Sequence, residues 1–472
     1  MNRTGLPVRL VGAVALATCA QWPATVGAEA PKSMTLAEAV DYALAHNPRV
    51  TQAAATRVAA QGRTDAARAG LLPDLSIVAQ LNRGTGNVVP GPLFALPGIP
   101  NVSGPPKGRG FDSGVFGSAV GAGASWDILL LERQMATVDA ALADEGRAEA
   151  AIAALELDVA FSAADRFLTT LSRGEVVRAA RAGVDRDRVF VQIVKVLTDQ
   201  ALRPGVDLSR AQAELAMAEA QLTRTEQNEA VARIELAQAL GDTRLDVRPA
   251  AGPFLSGQPG NLAASKAPNP LLVESDAAVA AAEKRRQAVR LEYLPRIDLC
   301  GAIWTRGSGL PNPSPGGPPS GGNGLVPDTP NWAAGITFAW PVFETVRVRA
   351  RVRTEAANVQ AEAARRTELG QLVDAQLLSA AAIADGARRV ATETPVALGA
   401  ARAAETQATA RYKSGLATVL EVAEAQRLLA DAEIQDAEAR LGVWSGLLLA
   451  ARAAGDLGAF LSIAGAASSG GP

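Results

Sequence analysis

Asp207-Leu-Ser-Arg-Ala211-Gln212 returns as Glu421-Val-Ala-Glu424-Ala425-Gln426, displaced by 214 positions. The same displacement carries Trp126 onto Trp340, Arg133 onto Arg347 and Gly241-Asp242 onto Gly455-Asp456. Earlier in each half it is 222, bringing Asn47-Pro48 onto Asn269-Pro270 and Leu72-Pro73 onto Leu294-Pro295. One length difference of eight residues, between the Leu-Pro and Trp landmarks, reconciles the halves. The chain thus reads as two copies of a unit of more than 200 residues, a period too long for short-repeat solenoids or propellers.

Working outward, each copy follows one plan. After Asn47-Pro48, Thr51 to Leu72 is rich in Ala, Arg and Gln and suits a helix that Pro73 ends. Leu75, Ile77, Ala79 and Leu81 then alternate with Ser76, Val78 and Gln80, the period of a strand over about 74–82. A Gly/Pro-rich loop from Arg83 to Asp112 leads to a second strand over about 115–126. The other half places strands at about 297–305 and 332–340 around a loop from Arg306 to Pro330. Trp304, Trp332 and Trp340 lie toward strand ends, where a membrane barrel wants an aromatic girdle and a soluble sheet merely wants packing.

No proline interrupts Ile128 to Arg203, and strong helix formers dominate, so a helix is expected over about 127–200. Some 70 residues at 1.5 Å each reach on the order of 100 Å. A break at Ala201 to Gly205 precedes a return helix over about 206–240, whose Leu208, Ala211, Leu215, Ala218 and Leu222 form a coiled-coil seam. The second half goes out over about 341–413, turns, and returns over about 418–453. Pro395 should kink or end the outgoing helix, with a similar joint near its counterpart Arg181. The full division is a signal peptide at 1–28, a first repeat at 29–248, a linker at 249–268, a second repeat at 269–456 and a tail at 457–472.

Composition sets the class. With 46 Lys+Arg against 48 Asp+Glu there is no electrostatic footprint for nucleic acid. Hydrophobic residues make up 48%, largely alanine, and no apolar run is long enough for a membrane-spanning helix. Arg3 and Arg9, the apolar Leu10 to Ala17 and the small Val26-Gly27-Ala28 read as an export signal, with lipidation of Cys19 after Leu16-Ala17-Thr18 as the alternative. In both cases Cys300 is left as the one unmodified thiol, which precludes an internal disulfide.

Four strands of this length can cross a bilayer when tilted, yet an open four-stranded sheet leaves edges unpaired in hydrocarbon. Other copies must complete it, and three copies would give twelve strands and twelve helical passes. The expected fold is mainly α with a small β part: a duplicated strand-strand-long helix-helix unit whose copies together close a β-barrel continuous with a hollow cylinder of helices.

The duplicated plan, the Asn-Pro to Leu-Pro opening, and Tyr412-Lys-Ser-Gly415-Leu followed by Glu421-Val-Ala-Glu424-Ala-Gln426 resemble the TolC family of outer-membrane efflux and secretion channels, over roughly Leu36 to Asp456. The resemblance implies a homotrimer embedded in outer-membrane lipid, forming a twelve-stranded outer-membrane β-barrel continuous with a long periplasmic α-helical barrel. Such a trimer would passively conduct what an inner-membrane efflux or secretion transporter and a periplasmic adaptor hand over. It also implies a periplasmic gate at Glu421, Glu424, Asp207 and Tyr412, the tyrosine bonding across to Asp207. Two residues after the tip glycine Gly415, where the family has an arginine, stands Ala417. Gly415, Leu416, Ala201 and Leu202 occupy the tips and are candidates for adaptor docking, although turn chemistry alone explains Gly415.

Glu421 and Glu424, spaced three apart, can share a helical face; threefold repetition would make stacked negative rings. The competing reading is two solvated charges on a coiled-coil flank. No enzyme is expected: His46 is the sole histidine, no glycine loop cradles phosphate, and no Cys/His cluster has metal-ligand spacing, so neither cofactor nor metal is called for. The rival function is a periplasmic coiled-coil adaptor or scaffold without a pore, which has no need of the Trp-marked hairpins. Whether the cargo is a drug, a metal or a polypeptide does not follow from the sequence, nor does the class of pump.

Overall fold

A computed structural model describes residues 32–85, 114–127, 130–255, 259–260, 268–309, 324–340 and 342–469. The export segment with Cys19, and most of both Gly/Pro-rich loops, lie outside the described residues. The chain opens with β1 (Lys32–Met34), α1 (Leu36–His46), α2 (Pro48–Ala69), β2 (Asp74–Thr85) and β3 (Gly114–Asp127). Then come α3 (Leu130–Asp199), α4 (Gly205–Leu240), β4 (Val247–Pro249), α5 (Pro270–Arg290), β5 (Arg296–Ser308) and β6 (Thr329–Ala339). It closes with α6 (Thr345–Lys413), α7 (Val419–Ala454) and α8 (Gly458–Ser469). The protein is mainly helical with a small sheet part, as the sequence indicates.

One antiparallel sheet runs β2-β3-β5-β6, and among the described residues the outer sides of β2 and β6 are unpaired. Register explains its two faces. Ile77, Ala122, Ile303 and Trp332 form one row across all four strands, and Trp126, Leu299 and Ile336 another. Because side chains alternate, these rows share a face, on which Ile77, Ile303, Trp332 and Ile336 are all highly exposed. The opposite face carries Asp74, Ser125, Cys300 and Gly335 in one row and Ser76, Gly123, Ala302 and Ala333 in the next. Trp332 stands on the apolar face near one end of β6 and Trp340 directly follows the other end, whereas Trp304 belongs to the other face. There its partner Gly121 leaves it room, since a Cβ at 121 would sit 2.4 Å from that of Trp304.

α2 and α4 both lie along α3, and α5 and α7 along α6. The end of α4 abuts the start of α2, and the end of α7 the start of α5. Gly241 (φ 93°) and Gly455 (φ 82°) are left-handed caps, and a Cβ there would come within 2.8 Å of Asn47 Cα and 2.7 Å of Asn269 Cα. Each asparagine serves both helices at its junction. Asn47 Oδ1 accepts from Arg49 N at 3.0 Å while its Nδ2 donates to Ala239 O at 3.0 Å. Asn269 does the same with Leu271 N at 3.0 Å and Ala453 O at 2.9 Å. The following prolines sit at the first helical position, where no amide hydrogen is needed. The recurring Asn-Pro and Gly-Asp pairs are therefore two sides of one joint, made in each half.

Short elements pack against the helices beside that joint. β1 and β4 pair in parallel, and Trp444 packs edge-on against Phe254 (ring centroids 4.9 Å apart) and Phe460 (6.2 Å). The stretch 457–472, expected as a tail, is in its described part mostly helix α8, with Phe460 fully buried against Trp444. Of the two outcomes expected at Pro395 and near its counterpart Arg181, a kink or an end, the end does not occur: α6 and α3 run through both positions. Beside the proline, buried Thr394 donates to Asp436 Oδ1 of α7 at 3.1 Å. Asp436 is in turn bonded by Arg440, so the tie to α7 supports the turn that lacks an amide hydrogen.

Candidate functional site at the helix tips

Both hairpins turn by the same backbone device. In the second, Gly415 is left-handed (φ 79°), Leu416 N donates to Arg411 O at 2.8 Å and Gly415 N to Tyr412 O at 3.0 Å. In the first, Ala201 takes the left-handed position (φ 57°), with Leu202 N to Leu197 O at 2.8 Å and Ala201 N to Thr198 O at 2.9 Å. This is a Schellman closure, and a non-glycine residue pays roughly 1–2 kcal/mol to adopt it. It leaves Leu202 and Leu416 projecting into solvent at the two ends, 65% and 71% exposed.

The return helices start differently. Thr418 caps α7, with Glu421 N bonding Thr418 Oγ1 at 3.3 Å and Thr418 N bonding Glu421 Oε1 at 3.2 Å. Arg411 stands 3.8 Å from the other Glu421 oxygen. Glu421 is thus partly spent on the cap and on a cation, whereas Glu424, one turn along, is exposed with no hydrogen bond or ion pair among the described residues. Val419, Val422, Ala425 and Gln426 are buried on the packed side, so the two carboxylates do share the outward face. α4 begins after Pro204 without a side-chain cap, and Asp207 lies half-buried in its first turn.

Between the hairpins a small core forms from Phe190, Val194, Ala211, Tyr412, Ala417, Val419 and Val422. Tyr412 is fully buried, its ring edge-on to Phe190 with centroids 5.2 Å apart. Burial raises the phenol's pKa, and the Asp207 carboxylate raises it further against the opposing Arg203 cation. The hydroxyl completes no well-formed hydrogen bond among the described residues, so Asp207 acts on it through charge at a separation or angle short of a regular bond. Arg203 lies over the Tyr412 ring at 4.5 Å and donates through Nη2 to Tyr412 O at 2.8 Å and Ala417 O at 3.1 Å. Sequence reasoning passed over this residue. The signal was present, since the displacement of 214 puts Arg203 opposite Ala417.

The structure brings Asp207, Tyr412 and Arg203 together and keeps Glu421 and Glu424 on an adjoining outward face. Among the described residues no three His, Cys, Asp or Glu side chains gather as a metal site. No described helix is long and apolar enough to cross a membrane.

Comparison with known proteins agrees with this architecture. The fold is shared with Vibrio cholerae outer membrane protein VceC (TM-score 0.70, 19% identity, covering 89% of this chain and 96% of that one). The Campylobacter jejuni CmeC outer membrane channel matches at TM-score 0.72 and 15% identity, covering 89% of this chain and 85% of that one. The open state of the Neisseria gonorrhoeae MtrE outer membrane channel matches at 0.68 and 19%, covering 89% of each chain. No curated protein shows significant sequence similarity. A sequence profile for outer membrane efflux proteins matches residues 39–242 and 262–443, across both halves, both hairpins and all four strands of the large sheet, and on that evidence the chain belongs to the outer membrane efflux protein family.

Proposed function

We propose that this outer-membrane efflux channel protein works as a homotrimer, the passive exit duct of a tripartite system. An inner-membrane efflux or secretion transporter would hand substrates over through a periplasmic adaptor at the exposed tips around Leu202 and Leu416. One observation carries the reading: a four-stranded sheet with an exposed apolar face and two edges, on β2 and β6, that are unpaired among the described residues. In hydrocarbon those edges demand partners, and identical copies supply them by edge pairing. The polar face, lined by Asp74, Ser76, Ser125 and small residues, then becomes the wall of an aqueous lumen. A pore-free scaffold gains nothing from such a sheet.

At the other end, Glu421 and Glu424 are proposed to face the narrowed channel, with Asp207 and Tyr412 behind them holding the hairpins closed. Glu424 supplies the freer charge, because Glu421 is partly neutralised by its cap and Arg411. Replacing both glutamates with serine in the full chain should raise single-channel conductance in planar bilayers and weaken block by divalent cations. Conductance and block identical to the parent would remove these residues from the gate.

A further inference from the structure

The turn of the second hairpin is folded around a guanidinium that belongs to the first. Arg203 Nη2 donates to Tyr412 O at 2.8 Å and Ala417 O at 3.1 Å, the carbonyls on either side of the 413–416 turn. The guanidinium carbon also stacks 4.5 Å from the Tyr412 ring centre, and Phe190 packs edge-on to that ring with centroids 5.2 Å apart. Within its own hairpin the turn is closed by its backbone bonds and by Arg411, whose Nη2 reaches Leu416 O at a longer 3.3 Å. Arginine suits the place chemically: a planar, permanently charged fork can stack on a ring and donate in its own plane at once, which an ammonium cannot.

We propose that Arg203 is a positioning residue for the gate. It fastens the α6–α7 tip to the α3–α4 tip inside one protomer, so the outward face bearing Glu421 and Glu424 is held by the neighbouring hairpin. This inference rests on the gate reading above. Its consequence is mechanical: the second hairpin cannot swing away alone without losing both carbonyl bonds and the ring contact. The two tips of a protomer therefore move as one body, and whatever opens the channel must either shift both or displace this guanidinium.

The test uses the full-length protein in planar bilayers together with hydrogen exchange across 412–419. Arg203→Ala should raise mean conductance at least about twofold and speed exchange of the Leu416 and Thr418 amides. Arg203→Lys, which keeps the charge without the planar stack, should fall between the two, and it also serves should the alanine variant not assemble. A wild-type protein that forms no channel would sink the proposed function itself. A conducting wild type whose Arg203 variants show unchanged conductance overturns the present inference, whether or not exchange at the turn increases, because faster exchange alone means a turn support with no hold on the gate.

Discussion

Asn269→Ala is the sharpest test of the joint between α7 and α5. The side chain performs two tasks that alanine cannot: it accepts from Leu271 N at 3.0 Å, capping α5, and donates to Ala453 O at 2.9 Å in the last turn of α7. Losing the cap costs about 1 kcal/mol, and leaving the Ala453 carbonyl without its donor in a buried setting costs about 1 kcal/mol more. A local destabilisation of about 2 kcal/mol corresponds to roughly 30-fold faster opening at equilibrium. Hydrogen exchange on the intact, detergent-solubilised protein reads this at the amides of Leu271, Leu272 and Val273, the latter two bonded to Asn269 O at 2.9 and 3.1 Å. Asn269→Ser separates the tasks, since serine caps well but is too short to reach Ala453; about half the effect should remain. Asn47→Ala should reproduce the alanine result at Arg49 and Val50, because its two bonds, both 3.0 Å, are equivalent. Exchange within about twofold of wild type in both alanine variants would refute the idea that one side chain splices two helices.

Two further outcomes are expected. At Gly446 a Cβ would approach Ala384 Cα to 2.9 Å, so Gly446→Val should push α7 from α6 and lower the thermal midpoint by an amount equivalent to about 1–3 kcal/mol. Burial, with Glu214 nearby and despite Arg186, raises the Asp187 carboxyl to about 6. The folded state then holds this proton more tightly than the unfolded chain, so the group's contribution to stability grows as pH falls through about 6. Asp187→Asn should accordingly raise the unfolding midpoint at pH 7.5 and change little at pH 4; the opposite ordering would contradict the sign.

The long helices and the strands were legible because their signals are local: an unbroken run of helix formers before Arg203, and the alternation from Leu75 to Leu81. What escaped was written at a distance. The Asn-Pro and Gly-Asp landmarks were visible as recurrences, but nothing local says that Asn47 meets a helix end 192 residues later in the chain. Arg203 lies inside the break from Ala201 to Gly205, and its partner Tyr412 is 209 positions away. Pro395 does not end its helix, and beside it Thr394 and Asp436 tie that turn to α7, a tertiary contact that local propensity does not contain. Nothing local in the tail says that Phe460 packs against Trp444. At the tips, recurrence located the acidic residues but could not show that Glu421 would be half consumed by Thr418.

The indoles at the two ends of β6 carry one last implication. Eight residues separate Trp332 from Trp340, about 27 Å along a strand, and a tilt of about 40° reduces that to about 20 Å of membrane depth. Hydrocarbon much thicker than this must thin around the protein or drag the aromatic rings off their preferred level. Acyl-chain length in the surrounding leaflets then becomes a mechanical load on the sheet, at a level set five residues before α6 begins at Thr345.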